Sequence, residues 1–389
     1  MKVALVHDWL TGTRGGEKVL RELAILFPDA TLFTLFRFPG AVPPEIERLP
    51  AVTTFVQRLV APTRDYRKLL PLFFAAAETW DLSGYDLVLS SSHCVAKNAR
   101  KAPGSLHVCY CHTPVRYLHD QFDDYFRTRP AAVRALARAV RAPLAAWDAR
   151  AAPRADAFLA NSENVRERIR RLYGREASVV FPPVDTAFYT PGPGAPGRSG
   201  LLIVSALAPY KRLDDAVEAA NRAGWPLTIA GYGPEESRLK RLAGGTVRFA
   251  GTPSDEELRA LYRSAEAVLM PGEEDFGIVP VEAQACGTPV VALARGGARE
   301  TVLDGATGVL YPEPGAGGLA AAVGRLRTLR LDPGEAVRNA ARFSRERFRE
   351  SFLEALRGAL EAAGRPDLAA EAARRTEAGS RRILSAGTP

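Results

Sequence analysis

Short apolar runs recur along this chain, each leading into a polar loop and then a stretch of helical periodicity. KVALV runs into HDWLTGTRGGEKVLRELAILFP, and YDLVLSSS, LHVCYCH and ADAFLANSENVRERIRRLY repeat the scheme. Strands that alternate with helices pair in parallel, because each crossover returns the chain to the same end of the sheet. Residues 189–200, YTPGPGAPGRSG, can hold neither a helix nor a ladder and read as a linker. The alternation then restarts with GLLIVSAL, PLTIAGYG, VRFAGT, AEAVLMPG and PVVALARGG. With 389 residues, more than a single core accommodates, the chain is expected to be α/β, with two Rossmann-like doubly wound domains facing a central cleft. The expected boundaries are 1–188 for an N-terminal acceptor-binding domain, 189–200 for the linker and 201–345 for a nucleotide-binding domain. A C-terminal helix at 346–365 is expected to pack back toward the first domain, and the tail 366–389 to fray in part. Ser254 and Glu257 form a capping box ahead of one helix of the second domain.

The charge narrows the partners. Lys and Arg number 52 against 44 Asp and Glu, a net +8 that favours anionic partners such as nucleic acid, lipid headgroups or nucleotide diphosphates without choosing among them. Cys94, Cys109, Cys111 and Cys286, with no signal peptide ahead of MKVALVHDW, read as reduced cytoplasmic thiols. The longest apolar run, LLPLFFAAA at 69–77, is about half of what a spanning helix needs and contains a proline, so no segment is expected to cross a membrane.

The stretch PGEEDFGIVPVEAQACGTPVV, residues 271–291, follows an apolar strand and reads as a loop entering a helix. Pro280 suits a first turn, and Gly277 lets the backbone approach a ligand while the free N–H groups beyond it face an anion. Glu282 is expected in the first helical turn and Glu274 in the loop. A plain alternative makes Glu282 a partner of the helix dipole and Glu274 an exposed acid. Lys211 and Arg212, in ALAPYKRLDD, open a helix whose dipole they oppose; a bound diphosphate would remove that conflict.

EEDFGIVPVEAQACGTPVVA resembles the signature of the retaining GT-B glycosyltransferases of family 4: two glutamates separated by seven residues around Phe-Gly, then Glu-Ala and Gly-x-Pro-Val. The resemblance extends over about residues 2–360, through RGGEKVL, GYGPEESRLKRLA and GGARETVLDGATGVL. HDWLTGTRGGEKVL, YCHTPVRYLHDQFDDYF and FPPVDTAFYTP are most similar to the bacterial mannosyltransferases that use GDP-mannose in O-antigen and exopolysaccharide synthesis. The resemblance implies that Glu282 accepts hydrogen bonds from ribose hydroxyls and Glu274 from the donor sugar. It places the backbone of Phe276, Gly277 and Ile278 before the sugar and phosphates, with Lys211 on the diphosphate beside Arg212. Gly15 and Gly16 match the glycine pair whose backbone approaches the diphosphate, and His112 a histidine near an outer hydroxyl of the sugar. For His112 the plain alternative is a packed histidine at a strand end.

The implied reaction is hexose transfer with retention by same-face attack, a donor phosphate oxygen taking the acceptor proton, so that no protein nucleophile is needed. No cofactor beyond the nucleotide-sugar substrate and no metal is expected, since Asp123 and Asp124 are adjacent rather than spaced. Cys109, Cys111 and His112 make a poor metal set, because strand alternation turns His112 away from both cysteines. One departure stands out. Ala206 occupies the place of an arginine that normally helps neutralise the leaving diphosphate, which Arg212 or Arg14 would have to replace. The alternative is a non-catalytic nucleotide-sugar-binding partner of another glycosyltransferase. A nicotinamide-dependent oxidoreductase is weaker still, because TGTRGG sets its glycines at the wrong offsets.

The acceptor is expected to be a glycan or lipid-linked glycan, with no nucleic acid bound. Residues 55–80 interleave Arg58, Arg64, Arg67 and Lys68 with Leu59, Tyr66, Leu69, Leu70, Phe73 and Phe74. That pattern fits either ordinary amphipathic core helices or a peripheral contact with an anionic membrane at the inner face of the plasma membrane.

Overall fold

The computed structural model describes residues 1–61, 66–119, 122–126, 130–192 and 197–374. It divides into two compact units: 1–119 with 138–183 and 346 onward, and 120–137 with 184–345.

The first unit is built on seven parallel strands: β1 (Val3–His7), β2 (Thr31–Thr34), β3 (Ala51–Thr53), β4 (Leu87–Ser92), β5 (Leu106–Cys111), β6 (Ala157–Ala160) and β7 (Ala177–Val179). Their order is β3-β2-β1-β4-β5-β6-β7. Every residue of β1, β4 and β5 is buried, as in a sheet covered on both faces. Leu5 of β1 lies between Leu32 of β2 and Leu89 of β4, and helix Gly15–Leu26 lays Val19, Leu20 and Leu23 on that layer.

The second unit repeats the plan with β8 (Leu201–Val204), β9 (Leu227–Ala230), β10 (Val247–Gly251), β11 (Ala267–Met270), β12 (Val290–Leu293) and β13 (Gly308–Tyr311). The order is β10-β9-β8-β11-β12-β13, again parallel throughout. In both sheets the winding reverses beside the first strand, between β1 and β4 and between β8 and β11. The reversal separates the crossover loops and opens a crevice at the carboxyl ends of those strands. The capping box at Ser254 and Glu257 is present.

Two boundaries differ from expectation. Residues 120–137, expected in the first domain, group with the second unit, where Tyr125 stacks on Tyr210 with ring centroids 4.5 Å apart. The chain leaves the first unit at Pro183, ahead of the 189–200 stretch, because Tyr189 is buried against Tyr262 and Arg263 binds both the carbonyl and hydroxyl of Thr190. Of that stretch, 193–196 lie outside the described residues. Residues 366–374 of the tail are helical, since Leu368, Ala369 and Ala372 reach the core of the first unit; the rest of the tail, 375–389, lies outside the described residues. Helix Arg345–Ala362 contributes Phe348, Phe352, Leu356 and Leu360 to the same core, a spacing of four that forms one face. Its Arg349 pairs with the buried Glu22 at 2.6 Å.

Asp8, just past β1, fastens β1 to the segment after β4. Its carboxylate accepts the backbone N–H groups of His93 (2.7 Å), Cys94 (2.9 Å), Val95 (2.6 Å) and Ala96 (2.7 Å). Asp8→Asn would turn an amide N–H₂ against two of these donors. It is expected to cost about 2–4 kcal/mol, measured by urea unfolding.

His107 in β5 is fully buried, with Nε2 on the Ser90 hydroxyl at 2.7 Å and Nδ1 unpartnered among the described residues. Burial, opposed by Asp156, pushes its pKa from 6.5 down to about 4. The unfolded chain therefore binds a proton that the folded chain refuses, and stability falls as pH drops from 6.5 toward 4. His107→Gln should reduce that slope by about 1.4 kcal/mol per pH unit in urea titrations.

Candidate active site

In the second unit three loops meet beyond the carboxyl ends of β8, β11 and β12. The loop after β8 exposes Ala206, makes a short 3₁₀ turn at Pro209–Lys211 and enters helix Leu213–Ala223 through Arg212. Arg212 has φ of 53°, the one non-glycine left-handed residue among those described, a strain typical of functional loops. Its Nε donates to Asp215 Oδ2 at 2.9 Å, so Asp215, in the first turn of the helix, answers the dipole conflict. Lys211 forms an ion pair with Glu274 of the loop after β11; their side chains are 12% and 21% exposed. Lys211 and Glu274 are thus brought together, whereas Arg212 is directed to its own helix.

Glycines allow this approach. A Cβ on Gly272 would lie 2.8 Å from the Lys211 backbone, and one on Gly297 would lie 2.3 Å from the carbonyl oxygen of Phe276. Gly296 and Glu274 form a parallel bridge, and the Gly297 N–H donates to the Glu274 carbonyl at 2.9 Å. Gly277, with φ of 88°, then starts helix Ile278–Ala285. Phe276 turns its ring inward, edge-on to Phe343, so the loop offers backbone rather than side chain at this point. Glu282 is not in the first turn as expected. The helix begins at Ile278, which puts Glu282 one turn further in, 2% exposed, with Oε2 accepting the Tyr262 hydroxyl at 2.8 Å. Dipole complementation therefore does not explain it.

The first unit gathers polar side chains at its own reversal point. His7 ends β1, Ser91 lies in β4 and His112 follows β5. The Ser91 hydroxyl lies 3.1 Å from His7 Nδ1 and 2.8 Å from His112 Nε2. Gly15 opens helix Gly15–Leu26, and a Cβ on Gly16 would meet the His7 ring at 3.4 Å and His112 at 3.7 Å. The Asn161 amide holds the His112 carbonyl at 2.9 Å. Burial, then the neighbouring His93 and His7, keep the His112 pKa well below the ordinary imidazole value, so His112 is neutral near pH 7. His7, Ser91 and Glu17 were not singled out in the sequence. The available signal was polar residues closing otherwise apolar strands, in HDW and SSS.

Cys109 and Cys111 are buried with Ala152, Phe158 and Ile169, and burial pushes the Cys109 thiol up to about 12. Among the described residues no three His, Cys, Asp or Glu side chains are grouped to hold a metal ion. Within 55–80, Phe73 and Phe74 are core residues, whereas Phe55, Leu59 and Leu72 are exposed; 62–65, including Arg64, lie outside the described residues. No described helix is long and apolar enough to cross a membrane.

Residues 195–344 match the family of glycosyl transferases group 1, and residues 13–188 match Glycosyltransferase Family 4. A D-inositol 3-phosphate glycosyltransferase of Acidothermus cellulolyticus is 35% identical over 53% of this chain and 54% of its own length. The enzyme of that name from Mycobacterium bovis is 33% identical over 53% and 49%. The chain thus spans about half the length of these relatives. Among solved structures, HepE of Anabaena in complex with UDP superposes with a TM-score of 0.64 at 19% identity, over 92% of this chain and 99% of that one. Sucrose-phosphate synthase of Thermosynechococcus elongatus gives 0.64 at 20% identity over the whole of both. The fold is that of the GT-B glycosyltransferases.

The glycine contact yields a test. Gly297→Ala should drive the 273–277 loop away from the 296–297 turn and cost about 1–3 kcal/mol, read as a lower midpoint in thermal unfolding. Gly317→Ala, with nothing within 4 Å of the added carbon, should not.

Proposed function

We propose that this chain is a retaining glycosyltransferase that moves a hexose from a nucleoside diphosphate sugar to a glycan or lipid-linked glycan without a metal. The observation that carries the reading is the Lys211–Glu274 pair at the strand-order reversal of the second sheet, beside the glycine-started helix at Ile278. When the donor enters, the Lys211 ammonium exchanges Glu274 for the diphosphate and stabilises the charge that develops as the glycosidic bond breaks. Glu274, released, accepts hydrogen bonds from the sugar hydroxyls. Backbone N–H groups of Phe276, Gly277 and Ile278 face sugar and phosphate, and Glu282 takes the ribose. Gly15 and Gly16 give the diphosphate a close backbone approach, and His112 meets an outer hydroxyl of the sugar. No side chain needs to act as a nucleophile, because a donor phosphate oxygen takes the acceptor proton.

The donor proposed is GDP-mannose, on the resemblance of HDWLTGTRGGEKVL and YCHTPVRYLHDQFDDYF. The UDP complex of HepE supports a UDP-sugar as the second donor to try. Work at the inner face of the plasma membrane, with residues 55–80 against anionic lipid, fits the exposed Phe55, Leu59 and Leu72. Ala206 favours one other reading, a non-catalytic nucleotide-sugar-binding partner of a second glycosyltransferase. Purified protein challenged with GDP-mannose, UDP-glucose and UDP-N-acetylglucosamine separates the two. Thermal stabilisation with slow donor hydrolysis supports the enzyme; stabilisation without turnover under any acceptor condition supports the partner. Lys211→Ala should lower turnover of the preferred donor about ten- to hundredfold while the unfolding midpoint stays near that of the parent protein. Unchanged turnover would remove Lys211 from the site.

A further inference from the structure

We propose that Glu17 sets the tautomer of His112 through His7 and Ser91, leaving His112 Nδ1 as a hydrogen-bond acceptor toward the substrate. The inference deepens the role given to His112 above and rests on that reading for its substrate, but the relay itself lies wholly within the first unit.

Four groups form the line. His112 Nε2 lies 2.8 Å from Ser91 Oγ, Ser91 Oγ lies 3.1 Å from His7 Nδ1, and His7 Nε2 lies 3.9 Å from Glu17 Oε1. His7, Ser91 and Glu17 are each at least nine-tenths buried. His7 Nε2 has no hydrogen-bond partner among the described residues, so the charge it faces decides whether it carries the proton. That charge is Glu17. Burial raises the Glu17 pKa, but the imidazoles of His7 and His93 beside it and a backbone N–H of its own helix outweigh that and hold the carboxyl below its ordinary range.

The direction of every proton then follows. A carboxylate repels a ring lone pair and attracts an N–H, so when the His7 ring carries a single proton, that proton lies on Nε2 and Nδ1 is an acceptor. A serine hydroxyl has a single proton, and Ser91 donates it to His7 Nδ1. Ser91 can therefore only accept from His112, which must carry its proton on Nε2. His112, held neutral, is left with a lone pair on Nδ1, the ring nitrogen that Ser91 does not occupy. The Arg14 backbone N–H, 2.9 Å from Glu17 Oε2, fixes the carboxylate that starts the sequence. Gly16 completes the geometry, since its missing side chain leaves room for both imidazoles under the helix start.

Glu17→Gln reverses the relay while preserving the helix cap. With its amide oxygen kept on the Arg14 N–H, the new side chain can turn only its NH₂ toward His7. His7 must then move its proton to Nδ1, Ser91 must donate to His112 Nε2, and His112 Nδ1 must become a donor. The test is ¹⁵N NMR of histidine-labelled protein at pH 8, where ordinary imidazoles are neutral, with each of the 5 histidines assigned by substitution. The expected result is His112 protonated on Nε2 in the parent protein and on Nδ1 in Glu17→Gln. In Ser91→Ala the state of His112 should no longer respond to Glu17→Gln. An unchanged His112 tautomer in Glu17→Gln, or a response that persists through Ser91→Ala, overturns the relay. Glu17→Gln should also slow sugar transfer about tenfold. A tautomer change with unaltered transfer would leave the relay standing and count against the role of His112 in the proposed function.

Discussion

A parallel sheet covered by helices on both faces has one place for working polar groups, the loops beyond the carboxyl ends of its strands. Both sheets here obey that constraint. Side chains within β1, β4, β5, β11 and β12 are buried from end to end, so chemistry collects where the chain leaves them. His7, Asp8, Ser91 and His112 lie at the ends of β1, β4 and β5, and Lys211, Glu274 and Gly297 follow β8, β11 and β12. The reversal of strand order beside β1 and β8 then decides which ends are free to receive a ligand.

Each unit closes its strand ends differently. In the first, the Asp8 carboxylate binds four consecutive backbone N–H groups after β4, which fixes the carboxyl end of β1 against that loop. In the second, glycine lets three loops touch backbone to backbone, and the resulting contacts carry Lys211 onto Glu274. An ion pair of this kind holds both side chains in place, and under the proposed function a diphosphate competes with Glu274 for the ammonium. Arg212, beside Lys211, bonds Asp215 of its own helix through Nε.

Much of this was legible in the sequence because burial and periodicity leave direct traces. The long apolar strands, the capping box at Ser254 and the glycine-started helix after Phe276 all have local signals. What was not legible depended on distance along the chain. Strands β3 and β7 have three residues each, too few for a period, and are defined by pairing with β2 and β6. Tyr189 reads as linker because its partner Tyr262 lies 73 residues on, and the packing of Leu368 has no local signal because its core comes from β1 and helix Gly15–Leu26. Glu282 lies one turn deeper than expected, because four residues of the helix that starts at Ile278 precede it. The His7–Ser91–His112 line joins three strands and has no signature in any one of them.

Under the proposed function a nucleoside diphosphate hexose lies against the loop of residues 273–278. Hydrogen–deuterium exchange of the intact protein, with and without saturating GDP-mannose or UDP-glucose, tests it at the backbone groups concerned. One donor is expected to slow exchange at the Phe276, Gly277 and Ile278 amides, while the exposed Gly317, near the start of helix Ala316–Thr328, exchanges at the same rate. A donor that binds, as judged by thermal stabilisation, and leaves exchange across 273–278 unchanged would contradict it.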